Sequence, residues 1–205
     1  MSQAVERVPL AVARELADEL VDLIGSSCEQ LHVCGSIRRQ APTVGDIDLV
    51  AVPMLAPLTD LFGATDGHVS VLNHRLDNLC GEQVIRQARR PDGGIAGWGQ
   101  KLRKFIFHGL PVQCQSVEAD VLGMWLVIRT GPSGYSHAFV TPRGQKAAIR
   151  RGAEVVARRD GMLPPGFEIK DGFCLYRFGG CVPTPTERDV YDALGLPYVE
   201  PWDRR

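Results

Sequence analysis

One stretch, residues 33–53, constrains this chain more than any other: V-C-G-S-I-R-R-Q-A-P-T-V-G-D-I-D-L-V-A-V-P. A Gly-Ser turn and two arginines come first, and two aspartates spaced D-x-D follow among Ile47, Leu49 and Val50. Alternate residues of a strand share a face, so Asp46 and Asp48 point to one side of an apolar strand that must pack within a sheet. Two convergent carboxylates taken out of water repel each other, and a divalent cation relieves that repulsion. Gly35 and Ser36 offer backbone N–H groups and a hydroxyl at the start of a predicted helical turn, an arrangement suited to an anion. Arg38 and Arg39 add planar, permanently charged forks that match phosphate. Each piece alone is unspecific: D-x-D strands are common, a Gly-Ser turn is mostly a turn, and an Arg pair is usually a solvated surface. Their joint order, G-S-x-R-R and then G-D-I-D-L-V, is far more specific. A metal site beside a phosphate cradle points to nucleoside triphosphate chemistry.

The 205 residues suffice for one domain or two small ones, and 44% apolar content allows a proper core. The formal net charge of −1 creates no global basic field, so any nucleic acid contact must rest on local charge. No apolar run approaches a membrane span. Met1 to Arg7 lacks a basic-then-apolar leader, so the expected setting is cytoplasmic. The six cysteines form no C-x-x-C pair, which argues against zinc and predicts reduced, mostly buried thiols. The five histidines are scattered and read as structural or surface residues, with His137 the only one near a plausible site.

The apolar stripe Leu16, Leu20, Leu23, Ile24 predicts a helix over Pro9 to Ile24, ended by Gly25-Ser26-Ser27. Leu31 to Cys34 and Asp46 to Val52 read as strands, the second stopped by Pro53, with a helical turn over Ser36 to Gln40 between them. A short helix is expected near Leu58 to Phe62 and a longer one over Val69 to Cys80. The segment 89–99 is a loop by composition. Leu102 to His108 and Val112 to Val117 form a hairpin about Gly109-Leu110-Pro111, placed beside the Asp46 strand. Asp120 to Ile128 is helical. Tyr135 to Arg159 is expected to carry a basic helix, with Arg143, Lys146, Arg150, Arg151, Arg158 and Arg159 set against Glu154. Met162 to Val182 holds a hairpin, and Thr186 with Asp189 resembles a capping box.

These segments resemble the nucleotidyltransferase superfamily, most closely the family X DNA polymerases (the DNA polymerase β-like group). The likeness runs from G-S-I-R-R and G-D-I-D-L-V through K-L-R-K-F-I-F-H-G-L-P-V-Q and W-L-V-I-R-T-G to P-T-E-R-D-V-Y-D-A-L-G-L-P-Y-V-E-P-W-D-R-R. The C-terminal ending separates this group from other nucleotidyltransferases. The resemblance implies an α+β chain: a nucleotidyltransferase-fold palm with a mixed β-sheet flanked by helices over 1–119, and a small α+β thumb over 120–205. It implies addition of dNMP from a dNTP to a primer 3′-OH, in DNA repair, with two Mg²⁺ or Mn²⁺ ions on Asp46 and Asp48 about 4 Å apart. Gly35, Ser36, Arg39 and Gly45 would hold the triphosphate. Thr130 and Gly131 would meet the sugar, with Tyr135 and Ser136 near sugar or base. Arg143, Lys146, Arg150 and Arg151 would grip the phosphates of a primer-template or DNA end without reading sequence.

Two departures stand out. There is no room within these residues for a lyase domain or helix-hairpin-helix fingers, so the resemblance implies a minimal palm and thumb, with a protein partner to supply the missing functions. V-Q-C-Q also stands where the family carries its third metal-binding aspartate, which places Gln113 at that catalytic position. An amide can ligate a hard cation but accepts no proton as a base. A bulge bringing Glu118 or Asp120 inward would be one rescue. Three readings stay open: a slow DNA nucleotidyltransferase, a noncatalytic module that binds nucleotide and nucleic acid, and a transferase for RNA, protein or a small molecule.

Overall fold

A computed structural model describes residues 7–59, 65–151, 154–170 and 172–204. The chain is mixed α+β and divides into two compact units: Met1–Ile37 with Ala41–Val117, and Arg38–Gln40 with Glu118–Arg205.

In the first unit the order is β1 (Val8–Pro9), α1 (Leu10–Ile24), β2 (Cys28–Val33), α2 (Gly35–Arg38), β3 (Thr43–Val44), β4 (Ile47–Pro53), β5 (Leu55–Thr59), β6 (Thr65–Ser70), α3 (Val71–Gly81), β7 (Arg86–Gln87), β8 (Leu102–Phe107) and β9 (Leu110–Ser116). Five of these strands make one sheet in the order β2-β4-β9-β8-β7. β4 and β9 run parallel and the other pairs antiparallel. The parallel step needs a long crossover, and α3 lies within it. α1 buries Ala13, Ala17, Leu20 and Ile24, and α3 buries Leu72, Leu76 and Leu79, at helical spacing. β4 is buried almost throughout, as befits an inner strand covered on both faces. Phe105, Phe107, Val112 and Cys114 complete this core. Burial pushes the Cys114 thiol up to about 12 and that of Cys28 up to about 11, which leaves both inert, as expected of core cysteines.

The helix expected near Leu58 to Phe62 is corrected. Leu55–Thr59 is a strand paired with Thr65–Ser70, and residues 60–64 lie outside the described residues. Pro57 lacks the N–H that a helix interior requires, yet is tolerated in a two-stranded ribbon.

The second unit holds α4 (Leu122–Thr130), α5 (Ser133–Val140), β10 (Lys146–Arg151), β11 (Glu154–Asp160), β12 (Phe167–Lys170), β13 (Cys174–Arg177), β14 (Gly180–Val182) and α6 (Glu187–Leu194). α4 buries residues on every side, from Leu122 to Val127, so it is the centre of this unit. A Cβ on its Gly123 would overlap the backbone of Thr184 and Thr186, which explains the glycine inside a helix. Met124, Val127, Phe139, Leu175, Val190 and Tyr191 form the core.

Two further expectations are corrected here. The basic helix over Tyr135 to Arg159 is instead the short α5 followed by the antiparallel hairpin β10-β11. Pro142 and Gly144 break the helix, and Ile149, Val155 and Val156 favour an extended chain. Two of the six cysteines, Cys174 and Cys181, form a disulfide between β13 and β14, with Cα atoms 6.1 Å apart. Sequence spacing of thiols carries no such pairing; the β13–β14 hairpin brings the two within bridging distance, diagonally, since Cys181 is the registered partner of Tyr176.

The capping box is present as expected: Thr186 Oγ1 accepts from Asp189 N and the Asp189 carboxylate accepts from Thr186 N at 2.8 Å. One residue on, Glu187 is 6% exposed and accepts from Arg204 Nη1 at 2.7 Å and from both Nη atoms of Arg38 at 2.9 and 2.6 Å. Burial alone would raise the Glu187 carboxyl, but the hydrogen bonds and charges of Arg204 and Arg38 outweigh it and hold it below the usual range. A depressed carboxyl stabilises the fold above its unfolded value, near pH 4.3, and that contribution fades as pH falls through the lower folded value. Glu187→Ala is expected to cost about 3–5 kcal/mol, because it strands the fully buried Arg204 guanidinium and the partly buried one of Arg38. Urea denaturation at pH 7 and pH 3 checks this: the gap between the two proteins should narrow in acid.

Candidate active site

β2 ends at a sharp turn. Gly35 adopts φ +61°, in the left-handed region. Cys34 N donates to the Asp48 carbonyl at 2.7 Å, so the turn is tied to β4 beside the aspartate. A Cβ on Gly35 would overlap the Asp48 carboxylate and stand 3.1 Å from the Asp48 Cβ and Cγ. Glycine is thus required twice, for its conformation and for the close approach. Ser36 follows, 9% exposed, and its hydroxyl oxygen is buried with no hydrogen-bond partner among the described residues. A buried, unpartnered hydroxyl in this turn, next in sequence to the glycine that meets Asp48, is open to a ligand. Gly35→Ala is expected to destabilise by about 1–3 kcal/mol from left-handed strain alone and to displace the Asp48 carboxylate. Thermal melting of the variant tests the first effect, and titration of native and variant chains with Mg²⁺ or Mn²⁺ tests the second.

The parallel register pairs Asp48 with Gln113, and the antiparallel register pairs Gln113 with Lys104. These three residues therefore form one row across β4, β9 and β8. Gln113 Nε2 donates to Asp46 Oδ2 at 3.4 Å. Gln113 thus touches one aspartate and is the registered neighbour of the other, which gathers Asp46, Asp48 and Gln113 at one place. The pairing of β9 is regular from Gln113 to Ser116, so no bulge redirects its end. Glu118 and Asp120 are exposed and count with the second unit. Gln115 is 6% exposed, with its amide on the Lys101 carbonyl at 2.7 Å.

Among the described residues no group of three or more His, Cys, Asp or Glu side chains forms a metal cluster. The donor set at Asp46, Asp48 and Gln113 is two carboxylates and an amide, all hard oxygen donors. That chemistry fits Mg²⁺ or Mn²⁺, and the orphaned Ser36 hydroxyl fits an anion held beside the cation.

Gly45 lies under Arg7: a Cβ there would come within 3.3 Å of Arg7 Nη1. Arg7 Nη2 donates to the Thr43 carbonyl at 2.6 Å, held there by the pairing of β1 with β3. Arg7, which lies over Gly45, and Lys104, the registered neighbour of Gln113, are cations that sequence reasoning missed. Nothing local in the sequence links residue 7 to residue 45, whereas Lys104 was recoverable from hairpin register once Gln113 was placed.

The other expected site residues lie in the second unit. Arg38 Nη1 donates to Thr130 Oγ1 at 3.0 Å and Arg39 Nη1 to the Thr130 carbonyl at 2.5 Å. The Arg pair thus holds the Thr130-Gly131 turn. Tyr135 is 3% exposed, its hydroxyl 2.6 Å from that of Tyr191, within the core. Ser136 Oγ donates to the carbonyls of Ile128 and Gly131 at 2.7 and 3.1 Å. Both side chains work inside the unit. Arg143 Nε donates to the Met162 carbonyl at 3.2 Å, and Lys146 Nζ pairs with Asp160 at 2.6 Å. Arg150 and Arg151 lie on β10, and their side chains fall outside what the structure describes. His137 Nδ1 is 3.1 Å from the Ala148 carbonyl, a contact between α5 and the hairpin.

Residues 169–205 match the family described as DNA polymerase beta thumb. Over 212 aligned residues the chain is 25% identical to DNA polymerase lambda of Rattus norvegicus, covering 98% of this chain. These two similarities support a family X DNA polymerase-like protein. The likeness takes in both the Asp46–Asp48–Gln113 unit and the C-terminal unit, since it extends over nearly all of the chain. This chain spans 33% of that relative's length. Among the described residues no helix is long and apolar enough to cross a membrane.

Proposed function

We propose that the chain is a DNA nucleotidyltransferase that joins a nucleoside monophosphate, taken from a dNTP, to the 3′-OH of a primer or DNA end. The observation that carries this reading is the convergence of Gly35, the orphaned Ser36 hydroxyl, Asp48, Gln113 and Asp46. The 3′-oxygen forms the new bond to the α-phosphorus, the bond to the β-phosphate oxygen breaks, and pyrophosphate leaves. Asp46 and Asp48 hold the Mg²⁺ or Mn²⁺, which when bound supplies charge neutralisation for the triphosphate. Ser36 donates to a phosphate oxygen, and Gly35 and Gly45 leave the backbone open to it. Gln113 orients Asp46 but takes no proton, so the 3′-OH proton passes to water and turnover is slow.

For the second unit we propose the role of a thumb. Its Thr130-Gly131 turn, held by Arg38 and Arg39, serves the nucleotide sugar, and Arg143, Lys146, Arg150 and Arg151 serve DNA phosphates.

Primer extension by the purified chain with a dNTP and Mg²⁺ or Mn²⁺ tests the reading. Gln113 favours one second reading, a module that binds nucleotide and DNA ends without turnover. Triphosphate binding with no product over hours would establish that instead, and labelling of a non-DNA acceptor would redirect the assignment.

A further inference from the structure

Phe178 is 90% exposed, more than any other large apolar residue among those described. It also has φ +52°, and Gly179 after it has φ +81°. Arg177 pairs with Gly180, so Phe178 and Gly179 are the two central residues of the β13–β14 turn. Such two-residue turns favour Asn, Asp or Gly at positive φ. A phenylalanine here suffers backbone strain and leaves its ring 90% exposed to water, two costs that burial does not repay. Strain of this kind gathers at functional positions.

The ring is supported from below. The Arg177 guanidinium lies 4.8 Å from the Phe178 ring centroid and 4.8 Å from that of Phe167. Phe167 is buried and is the registered partner of Arg177 on β12. Phe178, Arg177 and Phe167 therefore form a contiguous arrangement rooted in the core. The Cys174–Cys181 disulfide cross-links the two strands that present the turn. The tip is thus a rigid aromatic face with a permanent cation against it.

We propose that this tip is a stacking platform for an unpaired nucleobase of single-stranded DNA, with the base on Phe178 and its phosphate beside Arg177. Aromatic rings take any base because every base has a π face, and an adjacent arginine supplies the charge. A protein partner suits the tip less well. The neighbours of Phe178 at the turn are Arg177, Gly179 and Gly180, which form no contiguous apolar patch. The inference rests on the nucleic acid reading above and adds an unpaired strand to it.

The test is fluorescence anisotropy of the full chain with a labelled single-stranded dT oligonucleotide and with a blunt duplex of equal length. Phe178→Ala is expected to weaken single-strand binding roughly tenfold, the scale of one aromatic–base stack, and to leave duplex binding unchanged. Phe178→Trp should retain binding, and Phe178→Leu should not. Melting curves should match native for all three, since the side chain packs on little. Native affinity for dT in Phe178→Ala, or in Phe178→Leu, would overturn the proposal while leaving the nucleotidyltransferase reading in place. A native chain that binds neither DNA would overturn both. A native dimer that Phe178→Ala converts to monomer, with dT binding unaltered, would assign the tip to a second copy of this chain and overturn the proposal.

Discussion

Asp48→Ala is expected to abolish metal-dependent dNMP incorporation, by about a thousandfold or more. Asp48 is where the local geometry meets: its carboxylate fills the space over Gly35, and its register partner is Gln113. Charge stabilisation of a transferring phosphoryl group by a bound divalent ion supplies several kcal/mol, and each 1.4 kcal/mol or so is tenfold in rate. With Gln113 neutral, only Asp46 would remain to hold the ion, so no neighbouring carboxylate compensates. Asp48→Asn keeps the shape and removes the charge, and it should lose nearly as much. Primer extension with matched protein concentrations decides the matter, with circular dichroism to verify folding. Full activity in either variant would remove Asp48 from the metal site.

Gln113→Asp is expected to act in the opposite sense and raise turnover by roughly 10²–10⁴-fold, the usual worth of a positioned general base. The new carboxylate would lie beside Asp48 in register and within reach of Asp46, where Gln113 now donates at 3.4 Å. Three carboxylates without a counter-ion repel one another. The variant should therefore melt lower than native in EDTA and gain more from Mg²⁺ than native does, because a ligand that binds only the folded state stabilises it. The melting shift and the rate report separate things. A melting gain with no rate gain would show that the new carboxylate binds the ion and that proton removal does not limit turnover. Neither gain would mean that Gln113 does not occupy the missing ligand position.

Much of the local framework was legible in the sequence because local signals coincide with short-range physics. The α1 and α3 stripes, the hairpin about Gly109 and the Thr186–Asp189 cap each rest on residues within a turn or two of one another. The basic segment misled for the same reason. Counting arginines over 135–159 shows charge, but Pro142, Gly144 and three β-branched residues set the backbone. Arg38 and Arg39 read as phosphate forks, yet each has a protein partner, Glu187 or Thr130, more than ninety positions away.

The D-x-D strand, the Gly-Ser turn and the amide at position 113 follow from the sequence alone, since side-chain alternation and left-handed glycine are properties of the backbone. Only the tertiary structure decided that Asp48 fills the space above Gly35, that Gln113 bonds Asp46, and that Cys174 meets Cys181. Those contacts depend on which strands pair and in which register. Register is set by the burial of whole faces at once rather than by any one residue.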